Sequence, residues 1–274
     1  MMPASVRTES LWRGLRITIS ALLVVFLVAP MLIVVVISFS SAQFLMFPPP
    51  SFSLQWYRKL FGDPAWIDSL TASIEIVVPT GILAMVLGTA AALGLARSEI
   101  PGKKIITGLL MAPIVVPVII IAAAIFGAFR IWNLNGSLLG FILAHTVLTV
   151  PYVVSTVLAS LQMVDERYEN AALTLGAPPW AVFRRIVFPL ILPGVLSGLL
   201  FAMVISFDEL VVSLFIGSPT FRPVTVQMWS DVLGDVDPTI AAVGTLLFLF
   251  SLLVLQLEAL MRHVGISSPL MGQS

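Results

Sequence analysis

Polar and charged positions are gathered into a few short stretches, and between them lie six long apolar runs. These are Ile17 to Phe39, Leu70 to Ala96, Ile105 to Phe129, Ser137 to Leu161, Ile191 to Gly217 and Pro238 to Met261. A bilayer core about 30 Å thick needs roughly 20 apolar residues of helix. Backbone polar groups in hydrocarbon must be satisfied within the segment, which favours helices. The pattern therefore predicts an all-α membrane protein with six transmembrane helices. The first run, about 23 residues, exceeds the roughly 7–15 of a signal-peptide core, and no A-x-A-like site closes it, so it reads as a retained span. Pro30, Pro79, Pro113, Pro117 and Pro151 fall inside runs and predict kinks.

Six spans place both termini on one side, and Lys and Arg choose it. With the termini in the cytoplasm, ten basic residues lie inside and four outside. The organisation expected is a cytoplasmic segment 1–16, a first helix 17–39, a core of five helices at 70–261 and a cytoplasmic tail 262–274. Segment 165–189 then forms a cytoplasmic elbow. Outside, Trp56, Tyr57 and Trp66 suit the aromatic belt of a membrane interface. The stretch Thr220 to Pro238 is expected to hold a short helix ending near Gly234. Its acids, Asp231, Asp235 and Asp237, belong either to a solvated loop or to an outer functional surface.

Composition agrees with lipid as the main solvent. Hydrophobic residues make up 59% and charged residues 10%, against roughly 25% charged in soluble domains. Mean hydropathy is +1.07. Net charge is zero, and no basic run exists to neutralise phosphates, which argues against nucleic acid. The absence of cysteine excludes disulfides and thiolate metal sites.

One polar stretch between the fourth and fifth runs has an internal design: "ENAALTLGAPPWAVFRRIVFPLILP", Glu169 to Pro193. Residues 165–175 are good helix formers. Gly176 can supply a left-handed helix stop, and Pro178 and Pro179 can open the next helix. A second short helix is expected through Trp180, Phe183 and Ile186, with Pro189 and Pro193 leading into the fifth span. Ala171 and Ala172 give the first helix a small face that lets another surface approach. Arg184 and Arg185 suit anionic headgroups or an acidic partner.

This stretch resembles the E-A-A-x-x-x-G loop of ABC-importer permease subunits. Glu169, Ala171, Ala172 and Gly176 match it, while Asn170 replaces the usual first Ala. The resemblance covers about Leu70 to Glu258. It implies the type I importer permease fold, in which the elbow is a coupling helix docked on a cytoplasmic ATPase. It further implies a second homologous permease, two ATPase copies holding ATP and Mg, and a periplasmic binding protein. No cofactor is expected on this chain, which has no Walker A loop. "SGLLFAMVISFDELVVSLFI" and "RPVTVQMWSDV" extend the likeness to spermidine/putrescine permeases of the C type. That branch also holds carriers of opines, aminobutyrate-like compounds and aminophosphonates.

Ionisable groups within spans cost roughly 2.5–3.5 kcal/mol on insertion scales and call for a reason. Asp208 and Glu209 stand about 17 residues up the fifth run, about 25 Å from its cytoplasmic start. As helix neighbours they point about 100° apart, so one can line a pathway while the other ties helices together. The polyamine permeases carry a paired acid here, usually Asp-Asp. Glu75, about five residues into the second run, and Trp56 complete the candidate pathway residues, although Glu75 also suits an interfacial position. His145 has no metal-ligand companion at helical spacing and is expected to make a core hydrogen bond. Two other classes compete with the importer. A stand-alone secondary transporter calls for inverted repeats with broken midplane helices. A membrane enzyme calls for clustered ligands or a catalytic set, which the chain lacks.

Overall fold

The computed structural model describes residues 4–98, 101–219, 221–234 and 236–266. Asp235 and the last eight residues of the expected tail lie outside them, as do the first three residues. All regular structure among the described residues is helical. The chain forms two units, one built from residues up to Pro64 together with Asp231–Phe250, the other from Ala65–Ser230 and the chain after Phe250.

In the first unit, α1 (Ala4–Ser38) carries the first apolar run. The most apolar part of its Leu15–Ser38 segment buries none of its residues against the chain. The loop that follows is closed by backbone bonds from Ser53 N to Phe39 O (2.7 Å) and Ser41 N to Ser51 O (3.0 Å). It leads to α2 (Gln55–Gly62), which buries Trp56 and Leu60, one turn apart on one face. Trp56 is therefore a structural pin. Its indole N–H donates to Ser40 O at 2.8 Å, and Tyr57 bonds Ser38 Oγ at 2.8 Å.

The second unit is organised around α3 (Pro64–Arg97), α6 (Leu138–Leu161) and α9 (Phe188–Asp208). Ala84, Ala92, Val153, Val157, Ile191 and Ala202 lie in their common core. Small residues let the backbones close in. A Cβ on Gly88 of α3 would sit 2.6 Å from Val153 Cβ, and one on Gly198 of α9 would sit 2.6 Å from Thr156 Oγ1. Without a hydrophobic drive between helices in lipid, such close packing is what holds them together.

The third run is not one continuous helix. It forms α4 (Lys103–Val115) and α5 (Val118–Ile131), bent by 106°. Pro117 explains the break: it has no N–H for the carbonyl of Pro113, and it pushes the preceding Val116 to extended backbone, φ −74° and ψ 132°.

The loop after α6 holds α7 (Glu166–Thr174) and α8 (Pro179–Val182). The expected separate second elbow helix is instead continuous with the fifth span. From α8 the chain passes through a π turn, Phe183–Val187, directly into α9. The turn's bond from Phe188 N to Phe183 O lies immediately before Pro189, which has no N–H to give.

The fifth run also breaks where a straight helix is expected. After α9 comes α10 (Val211–Ile216), then α11 (Val224–Leu233), which stops at Gly234 as expected, and α12 (Thr239–Ile266). Among the described residues, four helices are long and apolar enough to cross a membrane. The bent α4–α5 pair makes a fifth if taken as one span, and Thr239–Leu253 is a shorter apolar stretch.

Candidate functional site

The first helix of the elbow and its glycine stop are built as the sequence predicts. Asp165 caps α7, its carboxylate accepting from Arg167 N at 2.9 Å. At the other end Gly176 adopts φ +84°. Ala177 N donates to Ala172 O (3.1 Å) and Gly176 N to Leu173 O (3.0 Å), the pair of bonds that closes a Schellman stop. Ala171 and Gly176 are exposed and Ala172 half-buried. Met163 and Leu175 are each 88% exposed, and Trp180 is 67% exposed, so the elbow turns large apolar side chains outward.

Glu169 has a partner within the chain that its motif does not announce. Its carboxylate receives Arg97 Nη2 at 2.6 Å, while Glu166 receives Arg97 Nη1 at 2.7 Å. Arg97 is the last residue of α3. The Glu169 side chain is only 19% exposed, which withdraws it from the outer surface of α7.

The acid pair sits at the α9–α10 break. Because the helix ends at Asp208, the 100° separation expected for helix neighbours does not apply. Asp208 is exposed and Glu209 half-buried. The Glu209 carboxylate accepts from Val212 N at 2.8 Å and so caps α10. Its backbone carbonyl accepts from Ser213 Oγ (2.8 Å) and from Thr225 Oγ1 (3.3 Å). Glu209 also lines a cavity of about 380 Å³, together with residues 113–118 at the α4–α5 break, Leu148, Tyr152 and Ile205. Two helix breaks thus meet around one hollow. Among the described lining residues the carboxylate is the only charged group, and the carboxyl end of α4, the negative end of its dipole, is beside it.

His145 of α6 braces this break, confirming the core role expected of it. It is buried, with Nδ1 2.9 Å from Ser206 Oγ on α9 and Nε2 3.1 Å from Ser213 Oγ on α10. Ser213 gives its single proton to the Glu209 carbonyl, so it accepts from Nε2–H. Nδ1 then carries no proton and accepts from the Ser206 hydroxyl. The ring fixes both sides of the break with one tautomer.

Glu75 lies elsewhere. It is exposed and lines a hollow of about 480 Å³ with Asp68, Thr71, Arg222 and Gln227, among others. Trp56 lines neither cavity. Among the described residues no group of three or more His, Asp or Glu side chains could hold a metal ion. The sequence reading did not single out Tyr152 or Arg97. The only local sign of Arg97's role is its position as a basic residue in the last turn of a long span.

Comparison with known proteins bears on what these features serve. Residues 84–264 match the family model described as "binding-protein-dependent transport system inner membrane component". The chain is 30% identical over 238 residues to a spermidine/putrescine transport system permease protein of Haemophilus influenzae, covering 87% of this chain and 92% of that one. It is 33% identical over 239 residues to a putrescine transport system permease protein of Escherichia coli, covering 85% of each. Among solved structures, a chain of a bacterial ABC transporter that imports the acidic polysaccharide alginate superposes with a TM-score of 0.68 at 12% identity. That match covers 96% of this chain and 98% of the other and speaks for the fold alone.

Proposed function

Since the chain belongs to the family of binding-protein-dependent transport system inner membrane components, we propose that it forms half of the translocation pathway of an ATP-driven importer of polyamines or related amines. Its relatives named for spermidine and putrescine support the substrate class. The observation that carries the reading is Glu209: a carboxylate lining a hollow between two helix breaks, with no Lys or Arg among the lining residues. An ammonium about 4 Å from a carboxylate gains about 1 kcal/mol in water and about 4 kcal/mol at an effective dielectric near 20. Partial withdrawal from water is thus what lets one acid matter. Asp208, exposed at the same break, is a second compensating charge for a substrate with two or more ammonium groups.

In this reading the termini lie in the cytoplasm, as the Lys and Arg distribution favours, and the elbow faces an ATPase. The exposed Met163, Leu175 and Trp180 give that ATPase an apolar surface to grip. The further partners are a second permease of the same family and a soluble binding protein that presents the substrate outside. ATP and its metal belong to the ATPase. Closure of the ATPase pair moves the elbows and, through the continuous α8–α9 rod, shifts the break that carries Asp208 and Glu209.

The test is uptake of radiolabelled putrescine by proteoliposomes holding the assembled complex. Glu209→Gln keeps an oxygen to accept from Val212 N and removes the charge. It should lower uptake tenfold or more, which requires a loss of only about 1.4 kcal/mol. Asp208→Asn should lower it less. Wild-type uptake by both variants would sink the amine pathway.

A further inference from the structure

From the arm of α3 that grips the elbow we infer that Arg97 is a positioning residue for coupling: it ties α7 to α3, so that movement of the elbow is delivered to α3 as well as to α9. This rests on the importer reading above. The tie has a specific geometry. Nη1 and Nη2 of one guanidinium each hold a different carboxylate, Glu166 and Glu169, at 2.7 and 2.6 Å. Those two acids stand three residues apart, on one face of the first turns of α7. Each charge also suits the helix end it occupies, with acids at the positive start of α7 and a cation at the negative end of α3. The Arg97 and Glu169 side chains are mostly shielded, at 24% and 19% exposure, so water screens this pair less than an open surface pair.

The tie matters because of what else holds α7. Its backbone packs mainly against α8 and the π turn, and both of these belong to the rod that continues into α9. Covalent connection also leads from α7 back to α6. Arg97 adds α3, from a position 72 residues away in sequence. Without it, a push on the elbow could still move α9 and leave α3 behind. Lysine cannot replace the fork, since a single ammonium lacks two parallel donors set to reach two carboxylates.

Two readouts on the complete complex in proteoliposomes test this. The chain has no cysteine, so spin labels placed through Ser98→Cys and Thr174→Cys report the separation of α3 and α7. In the parent, that distance distribution should be narrow. Arg97→Gln should broaden it and lower the putrescine taken up per ATP hydrolysed at least threefold. Arg97→Lys should fall between, and the charge swap Arg97→Glu with Glu169→Arg should recover more of the ratio than either single change. An unchanged ratio in Arg97→Gln overturns the coupling role, and so does an unchanged distance distribution. Failure of the importer reading looks different: the parent complex would show no ATP-dependent putrescine uptake before any variant is compared.

Discussion

The Nε2 of His145 on α6 lies 3.1 Å from the Oγ of Ser213 on α10, just beyond the break that carries the acid pair. Its other nitrogen reaches back to Ser206 on α9. His145→Phe keeps a planar ring, though a larger one, and loses both bonds. Interhelical hydrogen bonds in membranes are worth about 0.6 kcal/mol on average, so the variant should assemble with a stability loss of about 1–2 kcal/mol. Uptake should fall more than stability does, because Glu209 is no longer fixed. Parallel melting and putrescine-uptake measurements check this, and unimpaired uptake would show that the break holds itself.

Glycines of the three-helix core and glycines of its rim should respond in opposite directions. A Cβ at Gly88 or Gly198 meets α6 at 2.6 Å, whereas one at Gly94 or Gly108 meets nothing within 4 Å. Gly198→Val should destabilise by about 1–3 kcal/mol through overpacking. Gly94→Ala, in the same span as Gly88, should stabilise by up to about 1 kcal/mol from helix propensity. The melting temperatures of the two purified variants should bracket that of the parent.

Strain rather than bulk governs the elbow's stop. Gly176 holds φ +84°, with open space where a Cβ would point. Asn tolerates that conformation and Val does not. Co-purification of the ATPase should therefore survive Gly176→Asn and drop with Gly176→Val. Equal loss in both would mean that a partner surface fills the space instead.

Lys59 and Asp237 form an ion pair within the first unit, and its charges set two pH limits. The hydrogen bond to Asp237 outweighs desolvation and raises the Lys59 pKa. Burial pushes Asp237 upward, but its bonds to Lys59 and Thr239 together hold it below the ordinary carboxylate value. The Asp237 contribution is thus present above about pH 3.9 and is lost as pH falls through its lowered value. The Lys59 contribution is present below about pH 10.4 and is lost as pH rises through its raised value. Lys59 is half-exposed, so the pair is worth at most about 1 kcal/mol. Asp237→Asn keeps the bond from Thr239 N, seen at 2.7 Å. It should flatten the acid limb of a melting-temperature profile and leave mid-range assembly intact.

Local signals were legible in the chain, and distant ones were not. The Gly176 stop and the end of α11 at Gly234 follow from residues within a few positions. Pro117 announced a kink, but a kink and a 106° bend look alike in sequence. The α9–α10 break carries no proline or glycine at its centre, only Glu209 and Leu210 between Asp208 and Val211. It is held by His145, more than sixty residues earlier. The partner of Glu169 was hidden for the same reason. The motif says that a carboxylate is needed, while the residue that receives it sits at the far end of another helix. Trp56 read as an interfacial aromatic, because only the fold shows its indole turned inward to Ser40.

The unbroken rod from Pro179 to Asp208 has a mechanical consequence. Its tightest contact with α6 is at Gly194, where an added Cβ would lie 2.0 Å from Ser160 Oγ, about 21 Å from both Trp180 and Asp208 at roughly 1.5 Å per residue. A stiff rod pivoting there is a lever with equal arms. A sideways stroke applied at the elbow would reach the acid pair at about its full amplitude and in the opposite direction. The gate at one end would then swing as far as the machine at the cytoplasmic end travels, with its sense reversed. Paired distance labels at the two ends, each referred to α6, would read that ratio directly.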